Sequence, residues 1–266
     1  MKVRVRRHLG KLGIGDRSLP EPRPLIAPLR PPDSAQTSLR RLPDRRLLLT
    51  IRHAPLRGVT PEMLAWWFQN IEGTMVVEGR EYPRYLLWHP FDHVAYSATR
   101  RPDGSIGPGV KFRIVEAFGR DPSLRVTTRD HVDLLDETGL RLSARFAGVE
   151  VFSLHHRFTR EGDGTQYDST LVLGIAGRLG RVLNPILNHR FFGERHGRAW
   201  LLHNVEEVGL FEQLLRLCTR RAEYSSLERK PPSRHASLLL GTRANSDAHP
   251  RGTFALRRVS SVWASP

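Results

Sequence analysis

Two residues four positions apart, His203 and Glu207, are the first candidates for chemistry in this sequence. On a helix they would share a face, so an imidazole nitrogen and a carboxylate oxygen could bind one metal ion, and both are common zinc donors. Apolar residues at helical spacing around them, such as Leu201, Val205 and Val208, predict a buried helix, in which an unpaired charge is costly. This context favours a metal site over the alternative, a solvated ion pair.

A second group of metal-binding residue types follows Tyr85. His89, Asp92 and His93 fall within five residues, and Pro90 next to His89 restrains the backbone there. A single histidine is more often structural than a ligand, but three donors this close together favour a site.

Glu116 is a third candidate because of the strand pattern around it. Val110, Phe112, Ile114 and Phe118 recur with Glu116 at every second position, which predicts a strand with all five on one face. An ionised carboxylate on an apolar face needs a partner, which is either an arginine, a set of hydrogen-bond donors or a metal.

Two adjacent histidines, His155 and His156, lie near the end of another strand-like run, and Tyr167 begins the next one. Neighbours in a strand point to opposite faces of the sheet, so only one of the two histidines can face inward. The sequence does not decide which.

The elements that must position these residues form an α+β pattern. A hydroxyl, a proline and an acid at Thr60-Pro61-Glu62 predict the start of a buried helix. A longer helix is predicted from about Trp200 to Leu217, broken only by Gly209. Strand patterns occupy residues 47–51, 110–118, 141–146, 149–158 and 167–173.

The net charge of +15 is concentrated at the two ends of the 266-residue chain. Residues 1–46 carry a net +8 and seven prolines, residues 219–266 carry +6, and the residues between them carry +1. We therefore expect a folded domain at 47–217, a disordered basic extension at 1–46 and a weakly ordered basic tail at 218–266. The near-neutral middle argues against the nucleic-acid-binding function that the charge alone suggests.

The single cysteine, Cys218, excludes an internal disulfide and any cysteine-based zinc site, so a metal here must use histidines and carboxylates. No apolar stretch approaches the ~20 residues of a membrane span, and no apolar signal-peptide core follows the charged N-terminus. We expect a cytoplasmic protein with no membrane partner.

Taken together, these residues resemble the family of 2,4-diacetylphloroglucinol hydrolase and phloretin hydrolase over roughly residues 47–217. The matching stretches are Trp66-Trp67-Phe68, Tyr85 to His93, Tyr167 to Gly174 and His203 to Glu212. The resemblance implies a Bet v 1/START-like fold, in which a curved antiparallel sheet and a long C-terminal helix enclose a cavity. It also implies a zinc ion held by His93, Glu116, His203 and Glu207.

The same resemblance implies hydrolysis of the carbon–carbon bond between an acyl group and a polyphenol ring, with a small acylated phenol as substrate. A general acid must then protonate the ring carbon. The residues available for this role are His156 or His155, His89, Tyr85 and Tyr167. Tyr96 stands where the family has a substrate-binding asparagine, which keeps a non-catalytic carrier on the same fold as the alternative. The oligomeric state, monomer or homodimer, is left open.

Overall fold

The structure is a computed structural model, and it describes residues 19–190 and 192–218, which all fall within one compact unit. The predicted basic tail at 218–266 lies outside the described residues, apart from Cys218.

The described residues form eleven strands and four named helices. The strands are β1 (Gln36–Arg41), β2 (Leu47–Arg52), β3 (Leu56–Arg57), β4 (Thr74–Val77), β5 (Arg80–Pro83), β6 (His93–Ala98), β7 (Lys111–Ala117), β8 (Arg125–Asp136), β9 (Gly139–Phe146), β10 (Val149–Glu161) and β11 (Gly164–Leu173). The helices are α1 (Pro61–Gln69), α2 (Arg84–Trp88), α3 (Gly177–Arg190) and α4 (Glu194–Gly209). After a turn at Leu210, residues 211–218 are helical again.

Nine strands build one antiparallel sheet in the order β1-β2-β11-β10-β9-β8-β7-β6, with β3 paired to β11, while β4 and β5 form a separate hairpin. Register shifts occur after His93 in β6, after Val132 in β8 and after Glu150 in β10. Such shifts are typical of β-bulges, which bend a strand and increase its twist. A cavity lies between the inner face of the sheet and the helices α1, α2 and α4. The α+β class and the START-like arrangement of sheet, helix and cavity are thus confirmed.

The helix α1 begins where the sequence predicts. Thr60 caps it by accepting a hydrogen bond from the backbone N–H of Met63 at 3.3 Å, and Pro61 occupies its first turn. Its buried residues Trp67 and Phe68 make edge-on ring contacts with Phe211, at centroid distances of 5.9 and 6.0 Å. These aromatic contacts join α1 to the helical segment after Leu210 and close one end of the core.

The predicted start of the domain at residue 47 is wrong. The predicted disorder of the N-terminal extension is wrong for residues 19–46. Strand β1 pairs with β2 along its whole length. Before it, Arg30 donates hydrogen bonds to the carbonyl of Ala54 at 2.9 Å and to the carboxylate of Glu212 at 3.0 Å. The prolines of this segment disfavour an α-helix but not an extended chain, which hydrogen bonds of this kind can hold against the domain.

The helix α3, which the sequence analysis did not identify, turns its polar side to the protein. The buried Asn184 donates hydrogen bonds to the carbonyls of Asp44 at 2.7 Å and Ile175 at 2.9 Å, whereas Val182 and Ile186 are exposed. None of the described helices combines the length and the apolar character needed to cross a membrane.

Candidate metal centre

Pairing of β6 with β7 brings His93 and Glu116 together. The two residues are direct partners in the antiparallel register, which places their side chains side by side on one face. His93 Nε2 lies 3.6 Å from Glu116 Oε1. The bulge directly after His93 lies at the edge of the site, where such irregularities are common.

The other two predicted ligands come from one turn of α4. His203 Nε2 lies 3.6 Å from Glu207 Oε2, as expected for residues four apart on a helix. Across the interface between helix and sheet, His93 Nε2 lies 3.4 Å from Glu207 Oε2, and His203 Nε2 lies 3.9 Å from Glu116 Oε2. All four predicted ligand side chains therefore converge.

The two histidines present the same ring nitrogen to this cluster. His93 donates from Nδ1 to the carbonyl of Tyr85 at 2.6 Å, and His203 donates from Nδ1 to Asp92 Oδ2 at 3.1 Å. In both rings the buried Nε2 has no hydrogen-bond partner among the described residues. A fixed Nδ1–H and a free Nε2 lone pair are what a metal-binding histidine requires, and this fit supports a cation between the four side chains.

The charges of the cluster favour a cation as well. Burial raises the pKa of Glu116, with a contribution from the charge of Asp92, and burial together with the charge of Glu116 raises the pKa of Glu207 to about 8. Burial opposes protonation of His203, but Glu207, Asp92 and Glu116 outweigh it and raise its pKa to about 9. Without a metal the ring therefore carries a second proton on Nε2, and a bound cation would take the place of that proton. No arginine forms an ion pair with Glu116 within residues 19–190 and 192–218, so the alternative partner considered for this carboxylate is not found there. Two imidazoles and two carboxylates form a donor set that suits zinc.

Asp92 fixes the position of His203 and is itself fixed by the chain. Its carboxylate accepts hydrogen bonds from the backbone N–H groups of Gly119 at 2.9 Å and Arg120 at 3.1 Å. Burial acts against ionisation of Asp92, but the bond and charge of His203, the charge of His89 and the Gly119 N–H together hold its pKa below the usual range. Asp92 is thus an ionised support for a ligand histidine.

His89 does not line the cavity, so the predicted role as proton donor to a substrate is wrong for this residue. Its Nδ1 accepts a hydrogen bond from the backbone N–H of Asp92 at 3.1 Å, and its Nε2 lies 3.1 Å from Glu206 Oε2. His89, Asp92 and His203 lie close enough to hold an ion, but hydrogen bonds already occupy their facing atoms. His89 therefore supports the loop that carries Asp92.

A cavity of about 410 Å³ opens beside the four-residue cluster. Most of its wall is apolar, and Phe68, Phe112, Leu140 and Phe152 are typical lining residues. Its polar wall residues include Tyr85, Tyr96, Glu116, Asp130, His156, His203, Asn204 and Glu207. A largely apolar enclosure with a few polar groups is typical of a small-molecule site.

His156 lines the cavity, and its neighbour His155 lies on the opposite face of β10 near Arg141, so a catalytic role for His155 is excluded by its position. Burial lowers the pKa of His156 to about 3, with a contribution from His53. The ring is therefore neutral near pH 7 and carries one proton.

A hydrogen-bond chain locates that proton. Ser169 Oγ donates to Asn204 Oδ1 at 2.9 Å, and the Asn204 amide donates to Glu207. Because the Ser169 hydroxyl has only one proton, it accepts from His156 Nδ1 at 2.9 Å and from His53 Nε2 at 3.2 Å. The Nε2 of His156 is left as a hydrogen-bond acceptor.

Three tyrosines complete the surroundings. The Tyr85 hydroxyl donates to Glu116 Oε1 at 3.0 Å, and burial and the Glu116 charge raise its pKa well above the usual value. The hydroxyls of Tyr167 and Tyr96 are buried and have no hydrogen-bond partner among the described residues. Tyr167 contacts the His156 ring at 5.2 Å but does not itself line the cavity, whereas Tyr96 does.

Four polar residues of this region were missed or given no role by sequence reasoning: Asp92, Asp130, Ser169 and Asn204. Asp92 was visible as a donor near His93, and Asn204 stands between the two helix ligands. Neither Ser169 nor Asp130 carries a signal in the sequence beyond its polar type in a strand.

Comparison with known proteins leaves the family unassigned. No family model and no curated protein match this chain. Similar solved structures include TTHA0849 from Thermus thermophilus, with 14% identity over 65% of this chain and 97% of that chain and a TM-score of 0.40. A START superfamily protein from Mycobacterium smegmatis has 12% identity over 64% and 98%, with a TM-score of 0.39. CalU16 from Micromonospora echinospora has 12% identity over 73% and 95%, with a TM-score of 0.37. The resemblance to the phloroglucinol hydrolases therefore stays a prediction.

Proposed function

We propose that this protein is a zinc-dependent hydrolase that cleaves the bond between an acyl carbon and a polyphenol ring carbon. The observation that carries the proposal is the pair of buried, unpartnered Nε2 atoms of His93 and His203, which face the carboxylates of Glu116 and Glu207. A donor set of this kind beside a largely apolar cavity suits an aromatic ketone better than it suits a charged substrate.

The proposed reaction adds the elements of water across one carbon–carbon bond. The hydroxyl group of water joins the acyl carbon, the bond to the ring breaks, its electron pair stays with the ring carbon, and a proton is added there. The products are a free phenol and a carboxylic acid. Zinc held by His93, Glu116, His203 and Glu207 would supply Lewis acidity for the attack on the acyl carbonyl.

The residues of the chain divide the proton transfers between them. His156 is neutral and offers Nε2 as an acceptor, because Ser169 holds its Nδ1–H. In the proposed reaction it takes up at Nε2 the proton that the attacking water loses and returns it to the ring carbon. Tyr167 is protonated, since burial and Glu207 raise its pKa, but it does not line the cavity, so its place is beside the His156 ring and the predicted contact with the substrate is wrong for this residue. Tyr85 holds Glu116 in place.

A direct test is to incubate the zinc-loaded protein with a panel of acylphloroglucinols and dihydrochalcones and to look for both products by chromatography. We expect turnover of at least one member, and its loss in Glu207→Gln. Absence of turnover in a sample shown to contain zinc would contradict the hydrolase proposal.

A second function on the same fold, a non-catalytic carrier of small molecules, is favoured by one observation. Tyr96 fills the position of the asparagine that the resembled family uses on its substrate, and its ring lines the cavity. A carrier would bind members of the same panel and release them unchanged, so binding without product formation distinguishes it from the hydrolase.

A further inference from the structure

Asp130 is a buried acid in the cavity wall that the proposed reaction does not use. Its side chain is 1% exposed, and it lies on β8 among the residues that line the cavity. One carboxyl oxygen, Oδ2, accepts a hydrogen bond from the Thr128 hydroxyl at 2.6 Å. The other, Oδ1, has no hydrogen-bond partner among the described residues.

An unpartnered carboxyl oxygen in a buried position is unusual, because burial without a hydrogen bond destabilises a polar atom. Thr128 fixes the carboxyl from one side only, which leaves Oδ1 available to whatever fills the cavity. Phe112, which pairs with Asp130 across β7 and β8, is apolar, and the nearby polar wall residues Thr128 and Tyr96 make no hydrogen bond to Oδ1. A ligand is therefore the partner that this oxygen lacks.

The position of Asp130 along β8 separates it from the metal cluster. Glu116 pairs with Val126, and Asp130 lies four residues further along the same strand. At about 3.3 Å per residue this amounts to roughly 13 Å along the strand. One ligand that reaches both places must span this distance, with a group that suits the metal cluster at one end and a group that suits Asp130 at the other.

The chemistry of Asp130 selects the kind of polar group. Burial, with a further contribution from Glu116, raises the pKa of Asp130 to about 7 against the opposing bond from Thr128. A carboxyl that is readily protonated in an apolar wall suits an uncharged partner better than an ion. A hydroxyl both donates and accepts, so it can pair with Oδ1 in either protonation state. The aromatic wall favours a hydroxyl carried on a ring.

We propose that Asp130 is the recognition residue of a second subsite, which binds a phenolic hydroxyl on the part of the ligand remote from the four-ligand cluster. Which end of the ligand reacts depends on the proposed function, whereas the recognition of the hydroxyl by Asp130 does not. If Asp130 binds this hydroxyl, the protein prefers two-ring acylphenols whose second ring carries a hydroxyl over those whose second ring has none.

Two probes isolate this preference: phloretin, and the dihydrochalcone that lacks only the para-hydroxyl of the ring remote from the ketone. Binding of each to the zinc-loaded full-length protein is measured by stopped-flow fluorescence before the first turnover, and product formation is followed separately by chromatography. We expect the wild type to bind phloretin about 10-fold more tightly than the bare analogue, as one buried hydrogen bond provides. Asp130→Leu should bind both probes equally, and Asp130→Asn, which keeps an acceptor and a donor, should retain part of the preference.

Asp133→Asn is the matched control, because Asp133 lies on the same strand outside the cavity, 3.8 Å from Arg141. It should keep the wild-type preference. The inference is overturned if neither probe binds the wild type, if the wild type binds both equally, or if Asp130→Leu and Asp130→Asn both keep the full preference. Binding that discriminates between the probes without product formation would contradict the hydrolase proposal and leave the subsite standing.

Discussion

Asp92 Oδ2 lies 3.1 Å from His203 Nδ1, and this contact ties the segment that precedes β6 to the helix α4. Two of the four proposed ligands depend on that connection, since His93 directly follows Asp92 in the chain. The contact also sets which nitrogen of His203 is free for a metal.

We therefore predict that Asp92→Asn weakens zinc binding by ~10–100-fold without unfolding the protein, because the variant loses the charge that orients His203 and raises its basicity. Competition with a chromophoric chelator measures the change in affinity. Circular dichroism should show an unchanged fold. Wild-type zinc affinity in Asp92→Asn would show that the contact does not support a metal site.

His156 and His155 provide a matched pair for the proton-transfer step. His156→Ala should slow turnover by ~10²–10⁴-fold, the usual effect of losing a general acid or base, while zinc content stays at the wild-type value. His155→Ala changes the same residue type on the outer face of β10 and should leave the rate within a few-fold of the wild type. Equal rate losses in the two variants would remove His156 from the mechanism.

Two buried neutral histidines make the stability depend on pH. Burial lowers the pKa of both His53 and His156 to about 3, below the value of 6.5 in the unfolded chain. The unfolded state therefore binds more protons between these values, and the free energy of unfolding decreases as pH falls from about 6.5 toward 3. Above pH 6.5 the two histidines contribute no further change.

In His53→Gln this dependence should be weaker by up to about 1.4 kcal/mol per pH unit, since one of the two groups is removed and the amide can still donate to Ser169. Urea unfolding of the zinc-free protein at several pH values between 7.5 and 4.5 gives both slopes. Parallel curves for the two proteins would show that His53 is not a buried neutral group.

Leu39 on β1 tests whether the N-terminal segment belongs to the domain. Its side chain packs on a hydrophobic cluster that includes Leu49 and Trp200, next to Gly197 of α4, where an added Cβ would lie 2.7 Å from a Leu39 methyl. Leu39→Ala should lower the free energy of unfolding by ~1–3 kcal/mol, as expected for a partly buried leucine. Arg40→Ala, next to it and exposed, should change it by less than about 0.5 kcal/mol. Similar small effects in both variants would argue for a loosely attached β1.

The sequence predicts best those site residues whose positions follow from helix spacing or strand alternation. His203 and Glu207 share a helix turn, and Glu116 follows strand alternation, so one-dimensional patterns place each of them. The pairing of His93 with Glu116 depends on the register between two strands, which those patterns do not contain. The family resemblance supplied it.

Residues fixed by distant contacts were not predictable in this way. His89 was a candidate through its spacing, but its hydrogen bonds to Glu206 and to the Asp92 backbone turn it away from the cavity. The helix α3 was missed because several of its apolar residues face outward, and Asn184 binds it to the carbonyl of Asp44, 140 positions earlier in the chain. Such contacts appear only once the chain is folded.

Elemental analysis of the purified protein, after loading with zinc and dialysis, shows directly whether the four side chains bind a metal. We predict about one zinc per chain in the wild type and in His155→Ala, whose histidine lies outside the cluster, and no bound zinc in His203→Ala, which removes one of the two free Nε2 atoms. Equal zinc in the wild type and His203→Ala, or none in the wild type, would contradict the metal centre on which the proposed function depends.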